Sequence, residues 1–139
     1  MYQHILLAAD GSENSIRAAK EALKIAKVSP NCKVTIIFVI DLEKVKTEVL
    51  YASSIESLYM ARRQKLLPIE QLFKAEHIHV HLEMIHGIPG PEIIKFANGQ
   101  NVDLVIIGSR GLNGLQEMVL GSVSHKVIKR VNCPAMIVK

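Results

Sequence analysis

Hydrophobic residues alternate between a strand-like and a helix-like spacing along the chain. Short runs rich in β-branched residues predict five strands: His4–Ala9, Lys33–Ile40, Ile78–His86, Asp103–Ile107 and, opened by Pro134, Ala135–Val138. Between them, repeats of three or four residues predict helices from Ser12 to a stop at Pro30–Asn31, over Ser53–Ala75, over Gly90–Gly99, and after Gly121. This order predicts a three-layer α/β/α fold around a parallel sheet. Residues 41–52 show no clear period and are predicted as a loop or a short helix.

The same spacing predicts which side chains face the core. The uninterrupted run Val34–Ile40 predicts a strand buried on both faces. Alternation in the third strand predicts one solvent-exposed face, with Ile78, Val80, Leu82 and Met84 on the other. The helical stripes predicted to face the sheet are Ala19, Ala22, Leu23 and Ala26; Ile55, Leu58, Tyr59, Leu66, Ile69 and Leu72; and Val123, Val127, Ile128 and Val131.

Composition narrows the class of protein. A chain of 139 residues with 49% hydrophobic content fits a single domain over residues 1–139. Because no hydrophobic run approaches ~18 residues and the start lacks a leader pattern, we expect a cytoplasmic protein without a membrane partner.

Cys32 and Cys133 lie far apart, outside any metal-spaced pair, and are expected as small buried residues. The formal net charge is +4, and the basic residues are interspersed with acidic ones. Aromatic residues are also scarce, and both features argue against a nucleic-acid partner.

Glycines are concentrated where the fourth strand ends and the last helix begins. Gly108, Gly111, Gly121 and Ser122 form the pattern G-x2-G-x9-G-S. Glycine lets backbone amides approach a ligand closely, and a helix N-terminus adds unpaired N–H groups. The pattern therefore indicates a site for a polyphosphate, although it matches neither the P-loop nor the dinucleotide-binding fingerprint.

Together with the opening Ile5–Ser12 and the closing Cys133–Lys139, this motif resembles that of the universal stress protein family, in its nucleotide-binding branch. The resemblance runs over the whole chain. It implies an adenine nucleotide alpha hydrolase-like fold and a sensing or regulatory role in the stress response. It also implies a bound adenine nucleotide, which is ATP, AMP or another adenosine nucleotide, together with Mg²⁺.

The resemblance further implies which residues hold the ligand. Those expected around the base and ribose are Ala8, Asp10 and Val39. Those expected around the ribose and phosphates are Gly108, Ser109, Arg110, Gly111, Leu112, Asn113, Gly114, Gly121, Ser122, Val123 and Ser124. Taken alone, Asp10 has two interpretations, a contact with the ribose or adenine and a cap for the helix near Ser12. Arg110 either contacts the phosphates or is solvated.

No catalytic constellation stands out in the sequence, so any ATP hydrolysis is expected to be slow. Asp10, Asp41 and Glu117 are candidate Mg²⁺ ligands or bases for water, and no spacing requires that role. Two other functions stay open, a slow ATPase or phosphotransferase and a nucleotide-free interaction protein.

The histidines carry two interpretations. His77, His79 and His81 alternate along one strand and would share a face, where they either bind zinc or form a solvated polar surface. We favour the polar surface and assign no metal site, because alternation predicts it directly. His4, His86 and His125 are expected at the surface or at strand ends, with His125 close enough to the motif to approach a phosphate.

Polar turns with glycine follow the first and the fourth predicted strands. Ligands of open parallel sheets bind beyond the carboxyl ends of the strands, where the winding direction reverses. If these two strands are neighbours, both turns line one crevice and the strand order is 3-2-1-4-5, which the resemblance also implies. The fifth strand is then an apolar edge, and we expect Ala135–Val138 to pair with its copy in a homodimer, again in agreement with the resemblance.

Overall fold

The computed structural model describes residues 1–43, 54–109 and 121–139. In these ranges the strands are β1 (His4–Ala8), β2 (Lys33–Ile40), β3 (His79–His86), β4 (Leu104–Gly108) and β5 (Ala135–Val138). The helices are α1 (Glu13–Lys27), α2 (Ile55–Lys74), α3 (Pro89–Gly99) and α4 (Ser122–Arg130). Strands and helices alternate as the hydrophobic pattern predicts, with small differences at their ends.

The five strands form one parallel sheet in the order β3-β2-β1-β4-β5. The predicted fold class and strand order are confirmed. Leu6 in the middle of β1 lies beside Thr35 of β2 and Val105 of β4. Because β1 and β4 are neighbours, the turns that follow them emerge side by side at the carboxyl edge of the sheet.

Helices cover both faces of the sheet. On one face, α1 and α2 share a core with β1, β2 and β4, and on the other, α3 and α4 pack on the remaining side chains of those strands. The small residues Ala18, Ala19, Ala22 and Ala26 of α1 are at most 2% exposed, so α1 lies very close to the sheet. Within the described ranges, none of the helices is both long enough and apolar enough to cross a membrane.

Two residues predicted to face the core are exposed instead. Ile55 is 50% exposed although its helical angle is correct, because it is the first residue of α2 and burial begins one turn later, at Leu58. Ile128 is 40% exposed because the buried stripe of α4 is centred on Ser124 and Val127, and Ile128 lies at its margin. Phe73 is fully buried in α2, although the sequence analysis did not place it in the stripe.

β3 alternates between exposed and half-buried residues from His79 to Leu82, as predicted, but Glu83 and Ile85, on the face expected to be exposed, are half-buried. The histidine row is also shorter than expected. Ile78 and His77 precede the strand, and His77 has a φ of 59°, so it belongs to a turn. Val80 is half-buried against the α1–α2 core, whereas His79 and His81 are exposed. The prediction that three histidines share one strand face is therefore wrong, since a turn conformation removes the first of them.

β5 offers half of its backbone groups to solvent. The N–H groups of Val105 and Ser109 donate to the backbone oxygens of Pro134 and Val138, at 3.0 and 2.8 Å. Backbone direction alternates along a strand, so Met136 also points toward β4, whereas the N–H and C=O of Ala135 and Ile137 point away from it. Among the described residues, β5 is thus an edge strand whose outward hydrogen-bonding groups have no backbone partner.

The two cysteines are free thiols, one buried and one half-buried. Cys32 is 4% exposed at the start of β2, as expected for a small core residue. Burial raises the pKa of both thiols, which keeps them in the unreactive protonated form.

Candidate functional site

A crevice with a volume of about 350 Å³ lies at the carboxyl edge of the sheet. Three strands supply its floor, through Ala8–Asp10 after β1, Ile37–Val39 of β2, and Ile107–Gly108 of β4. Three helices supply its walls, through Ser12, Asn14 and Ser15 of α1, Pro89 and Ile93 of α3, and Gly121–Ser124 at α4. The crevice therefore lies where the winding of the sheet reverses, the position at which parallel α/β proteins bind ligands.

The structure brings most of the described residues predicted for the site together. The predicted residues that line the crevice are Ala8, Asp10, Val39, Gly108, Gly121, Ser122, Val123 and Ser124. Ser109 is buried outside the lining, where its N–H pairs with β5. Arg110, Gly111, Leu112, Asn113 and Gly114 lie outside the described residues. Of the described residues predicted for the site, eight thus line the crevice, whereas the backbone N–H of Ser109 holds β4 to β5.

Asp10 forms a turn and does not cap α1. Its Oδ1 accepts a hydrogen bond from the N–H of Ser12 at 2.9 Å. Ser12 is the N-cap residue, and its Oγ accepts from the N–H of Ser15 at 3.3 Å. Ser12 and not Asp10 therefore caps α1. Among the described residues, no protein group donates a hydrogen bond to Oδ2 of Asp10.

Two glycines of this region are required by close packing. Gly11 has a φ of +85°, and a Cβ there would lie 2.9 Å from Cβ of Lys65 in α2. A Cβ on Gly108 would lie 2.4 Å from the backbone oxygen of Asn14. Gly121 differs, since a Cβ there would meet no atom of the described residues within 4 Å. Gly11 thus lets α2 pack against the turn after β1, and Gly108 lets α1 pack against the end of β4. Gly121 leaves open space beside the crevice.

The crevice favours an anion. α1, α3 and α4 all begin at its wall, so the positive ends of three helix dipoles converge there. Among the described residues, no side chain caps the N-termini of α3 and α4, whose N-cap residues are Ile88 and Gly121. Such helix ends bind phosphate or carboxylate groups through backbone amides. Of the described residues that line the crevice, Asp10 alone carries a charged side chain.

α3 and the first turn of α1 also contribute to the crevice, and neither contribution was predicted from the sequence. Pro89 and Ile93 line the crevice because α3 packs over β2 and β1, which is a tertiary relation. Asn14 and Ser15 lie in the first turn of α1, just after the polar turn at Asp10–Ser12. This position could have predicted that they line the crevice.

The other described candidates do not line the crevice. Oδ1 of Asp41 accepts from the N–H of Glu43 at 3.1 Å, and Glu117 lies outside the described residues. His125 is exposed and does not line the crevice. Nε2 of His81 lies 2.9 Å from Oε2 of Glu83. In the described ranges, no three histidine, cysteine or carboxylate side chains come close enough to hold a metal ion.

His4 lies at a strand end, one of the two positions expected for it, and it is buried there. It is the first residue of β1 and is 5% exposed. Its Nδ1 lies 3.2 Å from the carbonyl oxygen of Gln100, and its Nε2 lies 2.8 Å from Oγ1 of Thr35. A carbonyl only accepts, so Nδ1 carries the hydrogen and Nε2 of the neutral ring accepts from Thr35. Burial and the nearby Lys33 lower the pKa of His4 below its ordinary value.

The fold and the crevice define a parallel α/β protein with a ligand site at the reversal of its winding. The chain belongs to the universal stress protein family, whose family model matches residues 1–139. It is 33% identical over 142 residues to universal stress protein MJ0531 of Methanocaldococcus jannaschii, covering 100% of this chain and 83% of that protein. It is similar to the solved structure of MJ0577 from the same organism, with a TM-score of 0.84 and 31% identity over 100% of this chain and 96% of that one.

Two related structures contain an adenine nucleotide. A universal stress protein in complex with cAMP has a TM-score of 0.71 and 25% identity, covering 99% of this chain and 96% of that one. A universal stress protein family protein from Arabidopsis thaliana with AMP bound has a TM-score of 0.70 and covers 99% of this chain and 91% of that one. Its 18% identity makes it evidence for the fold alone. Members of this family with the same fold therefore bind adenine nucleotides.

Proposed function

We propose that this chain binds an adenine nucleotide in the crevice, and that it acts as a sensing or regulatory module of the stress response in the cytoplasm. ATP is the proposed ligand, with AMP or another adenosine nucleotide as the alternative. The observation that carries the proposal is that one crevice combines an apolar side with three converging helix N-termini. The cAMP complex of a related protein supports the ligand class.

The two sides of the crevice suit the two ends of a nucleotide. Toward β2, the lining residues Phe38, Val39 and Ile93 offer apolar surface, which suits a flat base. Toward β4, Gly121 and Ser122 offer an uncapped helix N-terminus and a hydroxyl, which suit phosphate oxygens. We therefore place the base near β2 and the phosphates near β4.

A Mg²⁺ ion is compatible with this placement. Proteins usually bind Mg²⁺ through one or two carboxylates together with the phosphates of the substrate. Asp10 lines the crevice and its Oδ2 has no protein donor in the described ranges, so it is the residue that would hold the ion. When bound, Mg²⁺ would offset part of the triphosphate charge beside this carboxylate.

We further propose that the chain forms a homodimer through β5. The outward N–H and C=O groups of Ala135 and Ile137 are a template for a second strand, and natural edge strands are usually paired or protected. Pairing with an identical strand satisfies these groups in a symmetric interface.

Gly121→Leu tests the placement of the phosphates. A Cβ at this position meets no described atom within 4 Å, so the fold should persist, while the bulk of the leucine enters the space proposed for the ligand. We expect ATP affinity, measured by calorimetry, to fall at least about ten-fold. The control is Gly99→Leu, where a Cβ likewise meets no described atom within 4 Å, and which lies ~15 Å along α3 from the crevice residue Pro89. ATP binding by Gly121→Leu at wild-type affinity would show that the ligand lies elsewhere.

A further inference from the structure

Asn14 is a crevice residue that the glycine motif does not include. It is the second residue of α1 and lines the crevice. Its backbone oxygen lies 2.4 Å from the position of a Cβ on Gly108, so this turn of α1 rests directly on the end of β4. Asn14 therefore lies on the side of the crevice where we place the phosphates.

Arg17 determines which end of the Asn14 amide is available. Nη2 of Arg17 donates a hydrogen bond to Oδ1 of Asn14. A guanidinium group only donates, so the amide must turn its oxygen toward Arg17 and its NH₂ group elsewhere. Within the described residues, Nδ2 of Asn14 donates to no protein acceptor. Two N–H donors are thus left for a ligand.

Arg17 is itself held by backbone at the end of β5. Its Nε donates to the backbone oxygen of Lys139 at 3.2 Å. The preceding residue, Val138, accepts from the N–H of Ser109 at 2.8 Å, which ties β5 to the end of β4. The guanidinium group therefore connects α1 to the end of β5, which is paired with the end of β4 where the glycine motif begins, and it fixes the amide before a ligand arrives.

We propose that Asn14 donates a hydrogen bond to a phosphoryl oxygen of the bound nucleotide, and that Arg17 is the positioning residue that orients its amide. This inference rests on the proposed function and adds a side-chain donor to the amides and hydroxyls at α4. A donor oriented in advance binds without the entropic cost of ordering its side chain, and a hydrogen bond to a charged acceptor is stronger than one to a neutral acceptor.

Asn14→Asp is the most direct test, because aspartate has the same shape and still accepts from Arg17. The backbone contact of this residue with Gly108 is retained, while the NH₂ group with its two donors is replaced by an anionic oxygen. We expect ATP affinity to fall about ten- to a hundred-fold, and adenosine affinity to change less than about three-fold, since adenosine has no phosphate. Calorimetric titration with both ligands, after a melting curve for each protein, measures the difference.

The outcomes separate this inference from the proposed function. If the wild-type protein binds neither ATP nor adenosine, the proposed function fails and the inference falls with it. If the wild type binds ATP and Asn14→Asp binds it equally well, only the inference is overturned. An equal loss of ATP and adenosine affinity would show a structural role for Asn14 and would also overturn it.

Arg17→Leu tests the positioning role. It should weaken ATP binding by about three- to ten-fold in the wild type, because the amide can then rotate. In an Asn14→Ala background the same change should have no further effect on ATP affinity. A further loss in that background would show that Arg17 contacts the ligand directly and would overturn its role as a positioning residue.

Discussion

At the scale of single residues, Gly108 shows that one position can satisfy two requirements. The sequence pattern favours a role in the approach of a phosphate to the backbone. In the structure Gly108 does line the crevice, but the absence of a Cβ is needed first by Asn14, whose backbone lies against it. No linear pattern contains this information, because it depends on where α1 packs.

Gly108→Ala should destabilise the protein by about 1–3 kcal/mol, since the new Cβ would lie 2.4 Å from a backbone oxygen that cannot rotate away. Urea unfolding measures the loss of free energy. The matched control is Gly99→Ala, where a Cβ meets no atom within 4 Å, and its effect should stay below about 1 kcal/mol. Equal stabilities for the two variants would contradict the close contact between α1 and β4.

The buried His4 should make stability depend on pH. Its pKa in the folded state is lowered, mainly by burial and then by Lys33, from the ordinary value of 6.5. The unfolded chain therefore takes up this proton more readily. The stability that the neutral ring contributes is complete above pH 6.5 and is lost as the pH falls from 6.5 toward the folded value.

His4→Gln should reduce this dependence. We expect the free energy of unfolding of the wild type to decrease between about pH 7.5 and pH 5.5, and the variant to decrease less. Urea unfolding at both pH values gives the two differences. His79→Gln, an exposed histidine on a nearby strand, serves as the control because it leaves the buried ring in place. An unchanged pH dependence in His4→Gln would refute the assignment.

At the scale of elements, periodicity predicts the type and order of the helices and strands well. The alanine stripe of α1 is found as expected, and the alternation of β3 is found as far as Leu82. What periodicity misses is where an element meets the core, as Ile55 at the first turn of α2 and Ile128 at the margin of α4 show. The positive φ of His77 is equally hidden from the pattern, because it reflects a turn.

The edge strand β5 gives a prediction at this scale. Ile137→Pro removes an N–H that points away from β4, so the sheet should remain intact while pairing between two copies is lost. We expect a folded monomer in place of a dimer, measured by analytical ultracentrifugation. Met136→Pro is the contrasting variant, because it removes an N–H that points toward β4 and should lower the melting temperature. A dimer that persists in folded Ile137→Pro would exclude pairing through β5.

At the scale of the whole molecule, the site results from topology. The order β3-β2-β1-β4-β5 sets the ends of β1 and β4 side by side, and this could be predicted from the polar turns that follow those strands. The wall formed by Pro89 and Ile93 could not, because it depends on how α3 crosses the sheet. The orientation of Asn14 depends on Arg17 and the end of β5, and so required the assembled fold.

The central claim is that this crevice binds an adenine nucleotide. The most direct measurement is to denature the freshly purified protein, identify any released nucleotide by mass spectrometry, and titrate the refolded, emptied protein with ATP, AMP and GTP by calorimetry. We predict saturable binding of an adenine nucleotide at one site per chain, with GTP bound more weakly. Absence of binding by every adenine nucleotide in a correctly refolded protein would contradict the account and favour a nucleotide-free interaction protein.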